Sequence, residues 1–282
     1  MKNYKWPLMS NNILQSEKKT LINFINKSDR FTNGPKVIEF EKKWSKWLGV
    51  KYSTFVNSGA SANLISIHIL KELNVKKKEI ILPAFTWSSD VVAVINAGFK
   101  PIFVDINLEN LSLNEKLVKK KINKNTLAIF VTHAMGFVGI SHEFLRFIKD
   151  KKIHLIEDVC ESHGARLANK KIGTFGLMSN FSFYYGHHMT TIEGGMISTN
   201  SKEIDRIAKM KRGHGLLRDS QDPKLIKKIK SKYKDLNSDF IFLTEGFNLR
   251  SNELSAVIGL EQINRLNRNI KIRNVNHKLF LK

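Results

Sequence analysis

Short apolar runs alternate along this chain with longer amphipathic segments, and this alternation constrains the fold more than any other feature. Several of the short runs are rich in β-branched residues and almost wholly apolar, as expected for strands that are covered on both faces of a parallel sheet. We predict seven strands, at residues 52–56, 79–82, 101–104, 127–131, 153–157, 180–184 and 195–199. The alternation therefore predicts an α/β layered domain with a mostly parallel sheet.

The segments between these strands have the spacing of amphipathic helices. The sets that recur at helical spacing are Val37, Phe40, Trp44 and Trp47; Val91, Val94 and Ile95; and Leu145 and Ile148. Residues 252–270 are predicted to form a long helix, and residues 271–282 keep its helical character. Residues 211–239 are polar and charged, so we predict a surface excursion there.

Composition limits the possible classes of function. The 282 residues, of which 42% are hydrophobic, suffice for one large domain or two smaller ones. We expect no membrane span, since no run of about 18 apolar residues occurs, and no secretory signal is visible. Cys160 is the only cysteine, which excludes a disulfide within the chain and a cysteine-ligated iron–sulfur cluster from this chain alone. A reducing cytoplasm is the expected location.

The formal charge of +22 would attract anions of several kinds. Most of the basic residues are lysines in helical segments such as 116–121 and 224–234. Because aromatic residues do not interleave with a basic patch, we interpret these lysines as solvated helix faces and expect no nucleic-acid binding.

Residues 181–195 combine a buried strand, a predicted exposed polar turn with His187 and His188, and a glycine pair that opens the next strand. Taken alone, two histidines in one turn are more often surface or core residues than catalytic ones. A metal site is not expected, because adjacent histidines in an extended turn do not converge on one ion.

Three other segments carry candidate binding groups. Residues 57–63 follow a strand and open a helix, where backbone N–H groups and the helix dipole can bind an anion, although small residues that begin a helix are as often structural. Trp87 follows the next strand and can stack on an aromatic ring or pack in the core. Asp158 ends a buried strand, where a carboxylate is costly unless it meets a cation.

These segments, in this order across residues 30–270, resemble the DegT/DnrJ/EryC1/StrS family, the pyridoxal-phosphate (PLP) nucleotide-sugar aminotransferases. The resemblance implies a PLP-dependent transferase fold of type I. It also implies an N-terminal segment at residues 1–30, a large PLP-binding domain at 31–250, and a long helix at 251–282. That helix would lead to a small C-terminal domain, which we expect to be missing from the chain.

The same resemblance assigns roles to individual residues. In most of the family, the lysine that is bonded to the cofactor stands where this chain has His187. A histidine at this place is typical of the branch that dehydrates GDP-4-keto-6-deoxymannose at C3. The residues assigned to catalysis are His187, His188 and Glu161, and those assigned to PLP or pyridoxamine phosphate are Gly59, Ala60, Trp87, Asp158, Ser182 and Asn248.

The implied function is removal of the C3 hydroxyl from a nucleotide-linked 4-keto-6-deoxyhexose in deoxysugar and cell-surface polysaccharide biosynthesis, with L-glutamate as amino donor. The loop around Asn248 would reach into the active site of a second copy, which implies a homodimer. The other interpretation is a simple helix start capped by Ser251, and both can hold together. Two other functions stay open: a sugar aminotransferase whose cofactor lysine lies elsewhere, and a truncated, non-catalytic protein of the same fold.

Overall fold

The computed structural model describes residues 12–73 and 76–282. The strands are β1 (Tyr52–Val56), β2 (Glu79–Pro83), β3 (Lys100–Val104), β4 (Ile106–Asn107), β5 (Ser112–Leu113), β6 (Thr126–Thr132), β7 (His154–Asp158), β8 (Arg166–Leu167), β9 (Lys170–Lys171), β10 (Met178–Ser182) and β11 (Gly195–Thr199). The helices are α1 (Gln15–Ile25), α2 (Pro35–Leu48), α3 (Gly59–Leu73), α4 (Ser88–Asn96), α5 (Glu115–Lys121), α6 (His142–Asp150), α7 (Lys202–Arg212), α8 (Pro223–Lys232) and α9 (Glu253–Phe280).

Seven strands form the main sheet in the order β1-β11-β10-β7-β6-β2-β3. Four neighbouring pairs are parallel, and β11 runs antiparallel to both β1 and β10. The prediction of a mostly parallel seven-stranded sheet is therefore confirmed. The two short hairpins, β4–β5 and β8–β9, were not predicted, because two-residue strands carry no periodicity.

Helices cover both faces of the main sheet, which explains why its strands are apolar throughout. Ile80 and Leu82 of β2 pack in one core cluster with residues of α3, α4 and α7. Ile81, which lies between them and points to the other face, packs with residues of α5 and α6. A third cluster joins α2 and α9 to β1, β10 and β11.

Two of the predicted segments differ clearly in the structure, and the long C-terminal helix agrees with its prediction. The strand predicted at 180–184 lies at Met178–Ser182, because its pairing with β11 ends at Ser182 opposite Gly195. The predicted excursion at 211–239 begins with buried residues: Lys211 and Arg212 end α7, and the Arg212 guanidinium donates to Glu41 at 2.6 Å. The long helix begins at Glu253 and continues to Phe280, as its sequence indicates.

Helix α9 packs along α1 and α2. Gly259 allows the close approach of α2, because a Cβ at this position would lie 2.7 Å from the ring of Phe40. Among residues 12–73 and 76–282, no helix has both the length and the hydrophobicity that a membrane span requires.

Candidate active site

The candidate site residues lie mainly along one edge of the main sheet. Strand β1 runs in the same direction as β10, because both are antiparallel to β11, so six strands have their carboxyl ends at this edge. Such an edge is where α/β proteins bind ligands. The predicted residues there are Gly59 and Ala60 after β1, Trp87 after β2, Asp158 and Glu161 at the end of β7, and Ser182, His187 and His188 at the end of β10.

In the turn between β1 and α3, the backbone lies unusually close to neighbouring side chains. A Cβ at Gly59 would lie 2.6 Å from Cβ of Ser182 and 3.1 Å from Sγ of Cys160, so only glycine fits between these neighbours. The N–H groups of Gly59 and Ala60 stand in the first turn of α3, where a helix supplies no acceptors of its own. The turn therefore suits a phosphate group, with the hydroxyl of Ser182 beside it.

Trp87 is not a core residue. It precedes α4, and its side chain is 69% exposed at the sheet edge. This exposure excludes packing in the core of this chain and leaves the indole available to stack on a flat ring.

Asp158, Asp90 and Asn63 form a buried acid pocket beneath this edge. The Nδ2 of Asn63 donates to Oδ1 of Asp90 at 2.6 Å and to Oδ2 of Asp158 at 3.1 Å. Oδ1 of Asp158 accepts from the backbone N–H of Cys160 at 2.8 Å. Among residues 12–73 and 76–282, no cationic side chain forms a salt bridge with Asp158, so its carboxylate is suited to pair with a protonated ring nitrogen.

His163, His187 and His188 form a histidine cluster at the end of β10. The Nδ1 atoms of His163 and His188 lie 3.2 Å apart, within hydrogen-bonding distance. The His163 ring stacks on Phe183, with ring centroids 5.9 Å apart, and its buried Nε2 finds no hydrogen-bond partner in the part of the chain that the structure describes. His163 therefore anchors the turn to the aromatic core.

Burial governs the protonation of the histidine cluster. It lowers the pKa of His188 to about 3, with further lowering by the positive charge of Arg273 and by His187. Burial also lowers the pKa of His187, while the negative charges of Asp158 and Glu161 act in the opposite direction. His187 is therefore a neutral imidazole close to two carboxylates, which suits a group that accepts a proton.

The prediction that this turn is exposed holds only in part, for Tyr184, Ile192 and Glu193. His187 and His188 are half-buried, and Met189, Thr190 and Thr191 are buried. The turn folds back on β10, because the N–H of Thr191 donates to the carbonyl of Phe183 at 3.0 Å.

Glu161 fixes a neighbouring loop. Its Oε2 accepts from the backbone N–H of Met135 at 2.9 Å, so the segment after β7 is joined to the segment after β6. The half-buried Glu161 carboxylate is also one of the two charges that raise the pKa of His187.

Asn248 forms an antiparallel bridge with Gly213. The next residue, Leu249, accepts from the N–H of Asn57 at 3.1 Å, so this loop rests against the turn after β1. The cap of the following helix is Asn252, whose Oδ1 accepts from the N–H of Ser255, and not Ser251.

Sequence reasoning missed Asn63, Asp90 and His163. An acid in the first turn of a helix, as Asp90 is in α4, is common for reasons of helix polarity alone, so it gives no sign of a site. His163 lies near Asp158 in the sequence, and this proximity was the one available signal.

The comparisons with known proteins agree with this geometry. Residues 12–282 match the model of the DegT/DnrJ/EryC1/StrS aminotransferase family. The chain belongs to the DegT/DnrJ/EryC1/StrS family. The predicted family and fold are therefore confirmed.

Three relatives in this family are informative. The chain is 36% identical over 280 residues to GDP-4-keto-6-deoxy-D-mannose 3-dehydratase of Escherichia coli O55:H7, covering 98% of this chain and 72% of that protein. A solved structure of the E. coli dehydratase with bound hydrated PLP superposes with a TM-score of 0.92 at 35% identity, covering 98% of this chain and 72% of that chain. GDP-perosamine synthase of Vibrio cholerae is 30% identical over 261 residues, covering 92% of this chain and 65% of that protein.

Proposed function

We propose that this chain removes the C3 hydroxyl from a nucleotide-linked 4-keto-6-deoxyhexose, with PLP or pyridoxamine phosphate as cofactor. One observation carries the proposal: the turn at residues 183–194 holds His187 and His188 and contains no lysine. A histidine there can move a proton but cannot tether the cofactor. The similarity to the E. coli dehydratase makes GDP-4-keto-6-deoxy-D-mannose the first substrate to assay.

Each site residue has a role in binding or orienting the cofactor. The N–H groups of Gly59 and Ala60 and the hydroxyl of Ser182 would hold the phosphate. Trp87 would stack on the ring, and Asp158 would pair with the ring nitrogen. When bound, the cofactor supplies an amine and an electron sink.

His187 would carry the proton. As a neutral imidazole it would accept a proton at a ring nitrogen, and the carboxylates of Asp158 and Glu161 would stabilise the imidazolium that results. His188, held by His163, would keep the turn in place.

We also propose L-glutamate as amino donor, and a homodimer in which Asn248 binds the cofactor phosphate of the second copy. Asn248 is exposed on this chain, so its amide is accessible to a second copy. The single cysteine, Cys160, favours a reducing compartment such as the cytoplasm.

The test supplies the purified chain with PLP, glutamate and GDP-4-keto-6-deoxy-D-mannose. Mass spectrometry should detect a sugar that has lost the C3 oxygen, and borohydride should leave the cofactor unattached to the chain. Light scattering on the same preparation should give a dimer. Omitting glutamate is the control.

The second candidate is a sugar aminotransferase, favoured by the 30% identity to GDP-perosamine synthase. It predicts an amino sugar as the stable product and a cofactor that borohydride fixes to a lysine. Either result would contradict the dehydratase proposal, and absence of any turnover with bound substrate would favour a non-catalytic protein.

A further inference from the structure

Lys211 is a buried lysine to which the proposed reaction gives no role. It lies in the last turn of α7, and only 2% of its side chain is exposed. A lysine is almost never buried this fully unless a partner compensates for the loss of water around its charge. The partners of Lys211 therefore indicate what the residue does in the fold.

Three acceptors surround the ammonium group of Lys211. Its Nζ lies 2.6 Å from Oε1 of Glu72, and it donates to Oγ1 of Thr244 at 3.0 Å and to the carbonyl of Glu245 at 3.2 Å. The Thr244 hydroxyl in turn donates to Glu72. Since an ammonium group has three hydrogens and no acceptor, this set of partners satisfies it completely.

These contacts connect three parts of the chain. Glu72 lies near the end of α3, and Lys211 lies at the end of α7. Thr244 and Glu245 begin the Asn248 loop (residues 244–248), which carries the amide proposed to bind a cofactor phosphate. Lys211 therefore fastens this loop to two helices of the domain.

The backbone of the Asn248 loop is attached to the same place. The N–H of Phe247 donates to the carbonyl of Lys211, and the carbonyl of Phe247 accepts from the N–H of His214, both at 2.7 Å. Gly246 lies so close to this backbone that a Cβ there would be 2.1 Å from the N atom of Gly215. The side chain of Lys211 thus holds the start of the loop, and its carbonyl holds the end.

We propose that Lys211 is a positioning residue that holds the Asn248 loop in the shape that presents Asn248 to the active site of a second copy. The Asn248 side chain is exposed, so its position depends on the backbone of the loop. Opening of the loop would leave a buried charge with fewer partners, which is costly. The presentation of Asn248 rests on the proposed function, whereas the fixing of the loop follows from contacts within this chain.

The first experiment measures hydrogen exchange in the cofactor-free chain. Lys211→Met keeps a long side chain and removes the charge and its three donors. Backbone amides of the Asn248 loop should exchange about tenfold or more faster in this variant, because a hydrogen-bonded charge is lost. Amides of β6 should keep the wild-type rate, and the exposed control Lys228→Met should match wild type throughout. Unchanged exchange in the Asn248 loop would overturn the proposal.

Thr244→Val decides the same point if Lys211→Met does not fold. This substitution removes the hydroxyl that lies between the ammonium group and Glu72, and it leaves the lysine in place. Exchange should rise by about threefold or more in the Asn248 loop and stay unchanged in β6. A wild-type rate in the loop of this variant would contradict the proposal.

The second experiment tests which active site Lys211 serves. In the proposed homodimer, a Lys211→Met subunit keeps its own His187 but does not present Asn248, and a His187→Asn subunit has the opposite defect. Each variant alone should dehydrate the sugar at about a tenth of the wild-type rate or less. A mixed dimer, purified by two different tags, contains one intact site and should recover about half of the wild-type rate.

A mixed dimer without activity would mean that Lys211 supports the site of its own subunit, which would overturn the presentation of Asn248. Failure of wild type to dimerise or to bind PLP would refute the proposed function, and the presentation of Asn248 with it. The exchange experiment would still decide whether Lys211 fixes the loop, because it requires neither a cofactor nor a second copy.

Discussion

The acid pocket and the histidine cluster lie at the same sheet edge, and burial acts on them in opposite directions. In the acid pocket, burial raises the pKa of Asp90 and so keeps a proton on an acid. In the histidine cluster, burial lowers the pKa of His187 and His188 and so removes a proton from a base. Low polarity favours the neutral form of either group. One edge thus holds a neutral acid that can donate and a neutral base that can accept.

The acid pocket and the histidine cluster also differ in rigidity. Asp90 is fixed by side chains from three segments, and Asp158 by Asn63 and a backbone N–H. In the part of the chain that the structure describes, His187 has only its backbone bond to Tyr184, at 3.0 Å, together with looser ring contacts. A fixed acid suits the holding of a cofactor, whereas the imidazole of His187 would be positioned by the molecules that bind beside it.

The largest expected effect comes from His187→Asn. Loss of the proton acceptor should lower the dehydration rate by about 10²- to 10⁴-fold, while affinity for PLP changes by less than about threefold, because the acid pocket is untouched. Single-turnover product analysis and absorbance titration measure the two quantities. The exposed control His277→Asn should behave as wild type. A parallel fall in rate and affinity would instead make His187 a cofactor-binding residue.

An intermediate effect is expected for His188→Asn on acid stability. The pKa of His188 is about 3 in the folded chain and about 6.5 when unfolded, so the unfolded chain binds more protons between these values. Stability is therefore lost as the pH falls through this window, by about 1–2 kcal/mol between pH 6.5 and 5.

Urea unfolding of His188→Asn should show a correspondingly smaller loss over the same pH range. Equal losses in the variant and wild type would mean that His188 is accessible to water and titrates normally. The acid pocket responds in the opposite sense, since its contribution to stability falls as the pH rises.

The smallest effect is expected for Arg273→Gln. The positive charge of this exposed arginine lowers the pKa of His163, His187 and His188. Its removal should move the acid limb of the pH profile of kcat/KM upward by about 0.3 pH units, and less at high salt because exposed charges are screened. Arg268→Gln, on the same helix, is the matched control. If the acid limb of the pH profile does not move, a group other than these histidines determines its midpoint.

Much of the fold follows from local patterns. The seven predicted strands correspond to the seven of the main sheet, and Val37, Phe40 and Trp44 are buried as the helical spacing requires. The misplaced strand at 180–184 has a physical reason: Phe183 is apolar and buried like its neighbours in β10, so hydrophobicity alone does not mark where pairing ends. The division into domains and the roles of the site residues stay predictions.

By itself the sequence determined the order of strands and helices and the turns that end at one edge of the sheet, because these depend on periodicity and on residues close in the chain. It also placed Asp158 at the end of a strand and His187 in such a turn. Only the tertiary structure decided that Asp90 meets Asp158, since the bridging Asn63 lies 27 residues from one and 95 from the other. The tertiary structure also decided the protonation of Asp90, His187 and His188. The pKa of a buried group depends on neighbours that packing brings together from distant segments.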